Sequence, residues 1–164
     1  MRDFTQAHGV VNRRKKKGTE INPMNEVCSI VYEDNPEESA WGIIGQGIST
    51  YNEQQAGDQK FQRLCFVLHT PDNVIVGGVI GEVYWDWFHL DLLWVQDELR
   101  GHGYGQRLLT RAEDEARQRG AKNVYLDTFS FQAPDFYKQN GYQVFGELKH
   151  FPPGHHRYFL TKQL

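Results

Sequence analysis

The sequence predicts an α/β domain built on a mixed sheet of about seven strands flanked by helices. Three observations carry that prediction. An apolar strand, a glycine-rich turn and a strong helix follow one another between residues 90 and 119, with another strand at 124–129. Such a strand–helix–strand unit closes as a right-handed parallel crossover. Strand-like runs joined by short turns lie on both sides of it, which implies antiparallel pairs. Finally, 164 residues with 39% hydrophobic and 13% aromatic content suffice for one core and are too few for two comfortable ones.

Residues 1–23 show no periodicity and read as a flexible basic extension; residues 24–164 read as the folded domain. Val27–Tyr32 is rich in β-branched residues and reads as the first strand. Asn35-Pro36-Glu37-Glu38 has the form of a helix start, with Asn as cap, Pro in the first position and acids in the first turn. Trp41, Ile44, Ile48 and Tyr51 follow at helical spacing and predict one apolar face, weakened by Gly42, Gly45 and Gly47. Phe61–His69 and Val74–Tyr84 read as a hairpin around Pro71-Asp72-Asn73. Leu90–Val95 is apolar throughout, as a central strand should be.

Gln106–Arg119 reads as a helix with Leu108, Leu109, Ala112 and Ala116 as its buried stripe. Glu113→Arg117 and Glu115→Arg119 are i,i+4 pairs expected on the wet side, and Gly120 stops the helix. Val124–Phe129 is a strand, Pro134–Asn140 a short helix ending at Gly141, and Tyr142–Leu148 and Arg157–Lys162 the last two strands.

Charge narrows the partners. Six basic and two acidic residues precede Met24, so that segment carries +4 and the remainder −7 against a total of −3. An acidic domain disfavours a nucleic-acid partner and favours a cationic one such as an amine. The basic run Arg13-Arg14-Lys15-Lys16-Lys17 reads as a solvated tail. No apolar run is long enough to span a bilayer, and no secretory signal pattern opens the chain. Cys28 and Cys65 have no metal-ligand spacing and read as buried reduced thiols. A cytoplasmic location and no metal are expected.

Gly101, Gly103 and Gly105 alternate between the apolar strand and the strong helix. Glycines let backbone N–H groups approach a ligand, and the helix behind adds free amides and a positive dipole end, which together make an anion site. Arg100 can add a charged contact to a phosphate. The spacing excludes two nucleotide loops. A Walker loop needs Gly-Lys-Ser/Thr where Gln106-Arg107-Leu108 stands. A dinucleotide fingerprint needs glycine at 106 or 108, where Gln and Leu stand.

Arg100-Gly101-His102-Gly103-Tyr104-Gly105, preceded by Leu92-Leu93-Trp94-Val95, resembles the Gln/Arg-x-x-Gly-x-Gly/Ala motif of the GNAT superfamily of N-acyltransferases. Phe136-Tyr137-Lys138-Gln139-Asn140-Gly141-Tyr142 resembles the family's second signature, and the resemblance runs from about Val27 to Leu164. It implies a GNAT-like domain whose sheet splays between strands 90–95 and 124–129. It implies acetyl-CoA as co-substrate, its pantetheine arm on the backbone of Leu93, Trp94 and Val95. The pyrophosphate then rests on Arg100, Gly101, His102, Gly103, Tyr104 and Gly105. The implied reaction is direct attack of a primary amine on the thioester, with Tyr137 as general acid on the departing CoA thiolate and a backbone N–H of Leu92–Val95 facing the carbonyl oxygen. Asp91, Glu82 and His89 are the candidate bases; strand alternation expects His89, Asp91, Leu93 and Val95 on one face.

The acceptor is left open between small-molecule and peptide amines. Trp85, Trp87 and Phe88 read either as core or as acceptor pocket. Thr128, Phe129, Ser130, Phe131 and Gln132 lie where the second splayed strand opens towards Tyr137. Phe131 and Gln132 stand where family members often carry an Asn. In the loop Phe151-Pro152-Pro153-Gly154-His155-His156 the adjacent histidines read as ordinary loop residues. A homodimer is consistent with the family. The rival reading is a non-catalytic acyl-CoA-binding sensor or interaction domain.

Overall fold

The computed structural model describes residues 28–34 and 38–164. The basic extension, Val27 and the Asn35-Pro36-Glu37 helix start lie outside the described residues. The chain divides into two units, residues 1–42 and 43–164. In the first, residues 28–34 form no strand, contrary to expectation. β-branched side chains favour a strand only when a neighbouring strand completes the ladder, and among the described residues none pairs with them. Helix α1, Glu38–Ala56, begins in this unit and ends in the second. It is unbroken despite its three glycines, and Trp41, Ile44, Ile48 and Tyr51 are exposed rather than packed.

The second unit carries one sheet, of six strands rather than about seven. β1 (Gln62–His69), β2 (Ile75–Tyr84) and β3 (Trp87–Val95) form an antiparallel meander. α2 (Tyr104–Gln118) carries the chain to β4 (Asn123–Phe129), which pairs parallel with β3. α3 (Pro134–Gln139), β5 (Gln143–Lys149) and β6 (His156–Gln163) complete the order β1-β2-β3-β4-β6-β5. β3 lies inside the sheet, as its apolar sequence predicts. Trp85 and Asp86 both take left-handed backbone angles in the two-residue β2–β3 turn, matching the twist of the strands they join.

One face of the sheet is covered by α2. Leu108, Leu109, Ala112 and Ala116 pack against Leu64, Val79, Val83, Phe88, Leu90, Val124, Leu126 and Leu160. The helix ends as the sequence predicts. The N–H groups of Gly120 and Ala121 cap the carbonyls of Arg117 and Ala116, both at 2.9 Å. Phe88 is core. The opposite face is far more open, so Cys65, on the alternate positions of β1, is exposed, as is Cys28; the expected burial of both thiols is not found.

Glu113 also departs from expectation. It is buried, not on the wet side. Lys162 Nζ on β6 donates to its two carboxylate oxygens at 2.9 and 2.7 Å, and the Tyr142 hydroxyl donates to it at 2.9 Å. Arg117 is 3.7 Å away and pairs more closely with Asp114, at 2.7 Å. The Glu115–Arg119 pair forms at 2.8 Å as expected.

Candidate active site

β3 and β4 pair only at Trp87–Asn123, Phe88–Val124 and His89–Tyr125. From Leu90 onward β3 has no partner on that side, while β4 stays paired with β6 to Phe129. The sheet therefore opens as a V between residues 90–95 and 126–129, its vertex at His89 and Tyr125. The expected splay is present, and it leaves the β3 edge containing Leu93, Trp94 and Val95 unpaired on that side.

Beyond the end of β3, a single 3-10 turn (Asp97–Leu99) leads into the glycine turn. Gly101 and Gly103 have φ of 77° and 79°, a region costly for residues with a Cβ. Gly103 is the residue before α2. Among the described residues no backbone carbonyl accepts from the N–H groups of Gly101, His102, Gly103 or Tyr104, and the first-turn amides of α2 lack intrahelical partners by geometry. This is a cradle of unspent donors at a helix N-terminus, the arrangement a pyrophosphate needs.

Arg100 has a structural part besides the one expected of it. Its Nε donates to the Val95 carbonyl at 3.0 Å and its Nη2 pairs with Asp97 at 2.7 Å, so it fastens the end of β3 to the turn. Further positive charge lies on α2. A cleft of about 590 Å³ between α2 and β1 is lined by Gly103, Tyr104, Arg107 and Arg111. The two arginines were not singled out by sequence, although a basic residue every fourth position after a phosphate turn is a readable signal. We expect Gly103→Val to raise KM for acetyl-CoA about tenfold or more with a smaller change in kcat. Steady-state kinetics at saturating amine checks this; an unchanged KM would mean that the turn carries no phosphate.

Tyr137 is placed by the helix end that follows it. The N–H groups of Gly141 and Tyr142 bond to the carbonyls of Lys138 and Tyr137 at 3.0 and 3.1 Å. Gly141 takes φ of 87°, and this reversal lays Tyr142 against Tyr137, with ring centroids 5.6 Å apart. The Asn140-Gly141-Tyr142 signature is thus a device that fixes the tyrosine ring. Tyr137 is buried, yet its hydroxyl has no hydrogen-bond partner among the described residues. Burial first, and Asp127 second, push its pKa up to about 12.

Burial likewise raises the pKa values of Tyr125 and Tyr142. All three favour the neutral form in the fold. Their contribution to stability is therefore complete below the ordinary tyrosine value near 10 and is lost as pH rises above it. The melting temperature should fall steeply between pH 10 and 12, measured by circular dichroism, and more steeply than in Tyr137→Phe.

The candidate bases sort differently from the alternation argument. β2 and β3 shift register around Asp91: Gly81 faces Leu90 and Ile80 faces Leu92. Asp91 is an extra residue, a β-bulge. It moves Leu93 and Val95 onto the side of Phe88 and Leu90, so His89 lies on the opposite, open face. There Glu82 is its cross-strand neighbour, with Oε1 3.4 Å from His89 Nδ1. The His89 ring stacks on Tyr125 at 4.5 Å, and the Tyr125 hydroxyl hydrogen-bonds that of Tyr84. Asp91 is exposed and unpaired among the described residues. Trp85 and Trp87 lie at the closed end of the V, away from its mouth.

Gln132 ties the β4–α3 turn: its Oε1 accepts from the Phe129 N–H at 2.8 Å and the Thr128 hydroxyl at 3.2 Å. The sequence did not reveal the bidentate pair of Arg157 with Asp127, at 2.6 and 2.7 Å on the open face, because 30 residues separate its members.

Comparison with known proteins agrees with this architecture. The profile described as "Acetyltransferase (GNAT) family" matches residues 25–142. Blasticidin-S acetyltransferase of Streptomyces morookaense is 43% identical over 91 residues, 55% of this chain and 67% of the relative. An acetyltransferase of Agrobacterium fabrum is 31% identical over 140 residues, 85% of this chain and 99% of the relative. A crystal structure of an acetyltransferase from Bacillus cereus superposes with a TM-score of 0.75 at 34% identity, covering 82% of this chain and 98% of that one. The profile covers well over half of the chain, and the chain belongs to the GNAT acetyltransferase family as an acyl-CoA-dependent acetyltransferase.

Proposed function

We propose that the protein transfers an acetyl group from acetyl-CoA to a primary amine of a small-molecule acceptor by direct attack. The observation that carries this reading is the V between β3 and β4. Tyr137, our candidate acid, packs into the core; His89, our candidate base, stands at the vertex on the open face; and the amide cradle stands beyond the end of β3. Bound acetyl-CoA supplies the activated acetyl carbonyl. The residues of the chain do the rest. The amides of Gly101–Gly105 hold the pyrophosphate, with Arg107 and Arg111 contributing charge. The unpaired β3 edge at Leu93, Trp94 and Val95 holds the pantetheine arm, and an N–H of Leu92–Val95 donates to the carbonyl oxygen.

An alkylamine is mostly protonated at neutral pH, with a reference pKa of ~10.4, so it must lose a proton before it attacks. His89 accepts that proton at Nε2, while Glu82 holds the Nδ1 proton in place. Asp91 ranks behind this pair because nothing orients it. Tyr137 keeps its proton across the working range and delivers it to the departing sulfur. A small-molecule acceptor is supported by the 43% identical relative, whose name specifies blasticidin-S, and by the acidic balance of residues 24–164.

The test is an amine panel with acetyl-CoA, following release of the CoA thiol. Turnover of a subset of amines is expected, with no alkaline fall in kcat/KM before pH 10, because Tyr137 keeps its proton there. Failure of saturating acetyl-CoA to bind would overturn the reading.

A further inference from the structure

Successive alternate residues of β4 build one wall on the open face of the sheet. Tyr125 stands at the vertex against His89. Asp127 follows with Arg157, then Phe129. Residues two apart on a strand are separated by about 6.6 Å, so this wall runs roughly 13 Å away from the proposed base. Phe131 stacks on Phe129 with ring centroids 5.2 Å apart and planes 5° from parallel. Phe151 meets Phe129 edge-on at 5.9 Å, and His155 meets Phe131 at 4.9 Å. Phe131 and Phe151 remain 56% and 45% exposed, so their rings offer a surface that the core does not use.

The polar groups on this wall have a definite unspent capacity. Arg157 Nε and Nη2 donate to both oxygens of Asp127. Nη1 has no acceptor among the described residues, and the guanidinium lies 5.4 Å from the Phe129 ring centre and 5.7 Å from that of Phe151. The Asp127 oxygens are occupied; what remains is a donor edge, fixed by the ion pair and framed by aromatic rings. Such a site recognises a planar group carrying an oxygen acceptor.

We propose that this wall is the acceptor subsite, and that it selects an amine whose body is a flat ring bearing a carboxylate or carbonyl oxygen. The ring lies against Phe129 and Phe131, the oxygen accepts from Arg157 Nη1, and an arm on the acceptor that spans the roughly 13 Å of the wall carries the amine to His89; the ring and the oxygen are the parts the subsite recognises. The overall acidity of the domain favours an amine; Arg157 and the phenylalanines choose among amines. This rests on the acetyl-transfer reading above and adds the acceptor's chemical class.

Three probes separate the elements: 4-(aminomethyl)benzoate, benzylamine, which lacks the carboxylate, and 4-(aminomethyl)cyclohexanecarboxylate, which lacks the flat ring. Their affinities are measured by calorimetry on the protein saturated with CoA, so that no turnover is needed. The benzoate should bind about tenfold tighter than either comparator, as one charge-assisted contact or one stacking surface implies. Arg157→Gln should abolish the preference for the carboxylate. The paired variant Asp127→Asn/Arg157→Gln should do the same without leaving an unpaired carboxylate. Phe131→Ala, at an exposed position, should abolish the preference for the flat ring, with CoA affinity unchanged. Equal binding of the three probes, no binding, or preferences that survive these variants would overturn the subsite. Acetylation of a plain alkylamine alongside any of those results would leave the transfer reading standing.

Discussion

Replacing Tyr137 by phenylalanine is expected to lower kcat by about 100-fold or more, the usual contribution of a positioned acid, while KM for acetyl-CoA changes less than about twofold. The variant and the wild-type protein should be equally stable. The Tyr137 hydroxyl makes no hydrogen bond within the described residues, so phenylalanine fills the same space and leaves no partner unsatisfied. Packing against Phe136 and Tyr142 is by the ring, and that survives. Single-turnover kinetics with matched melting temperatures checks this. A kcat unchanged when the chemical step limits turnover would remove Tyr137 from the mechanism. The raised pKa favours this role rather than opposing it. A tyrosine near 12 is protonated whenever the sulfur leaves, and a CoA thiolate, comparable to a cysteine at about 8.5, needs only a partial proton transfer to depart.

The part of the molecule that positions these groups was largely readable in the sequence, and the exceptions share a cause. The strand–turn–helix unit from Leu90 to Gly120 was legible because its signals are local: three alternating glycines, a helical apolar stripe and a stop. The splay was implied by family resemblance, and no residue pattern marks it. The face of His89 was misjudged because one inserted residue, Asp91, reverses a period-two pattern, and only the β2–β3 register discloses it. Glu113 was misjudged because its local partner Arg117 looked sufficient. Yet Leu109 and Ala116, four residues before it and three after, share its side of the helix, and both are buried. Its true partner, Lys162, is 49 residues away. Local chemistry writes elements; ion pairs between distant strands are fixed by topology and leave no local trace.

That buried pair carries the second large effect. Lys162→Met should cost about 3–5 kcal/mol, because it strands the Glu113 carboxylate, 6% exposed, without its cation. Arg117 compensates only in part: its Nη2 lies 3.7 Å from Glu113 while its Nη1 is held by Asp114 at 2.7 Å. The double variant Glu113→Leu/Lys162→Met should recover part of the loss: an apolar pair avoids the desolvation that the ions incur, but the buried Tyr142 hydroxyl loses its acceptor. Denaturant unfolding of the two single variants and the double variant, treated as a cycle, measures the coupling. Additive costs would show that the pair contributes nothing as a pair. The arrangement also bears on catalysis. Lys162 Nζ lies 5.3 Å from the Tyr142 ring centre, Tyr142 donates to Glu113, and the same ring backs Tyr137. Lys162→Met should therefore also lower kcat by several-fold at temperatures where it remains folded, with KM for acetyl-CoA unchanged, and the double variant, in which Tyr142 has lost its Glu113 acceptor, should not restore kcat.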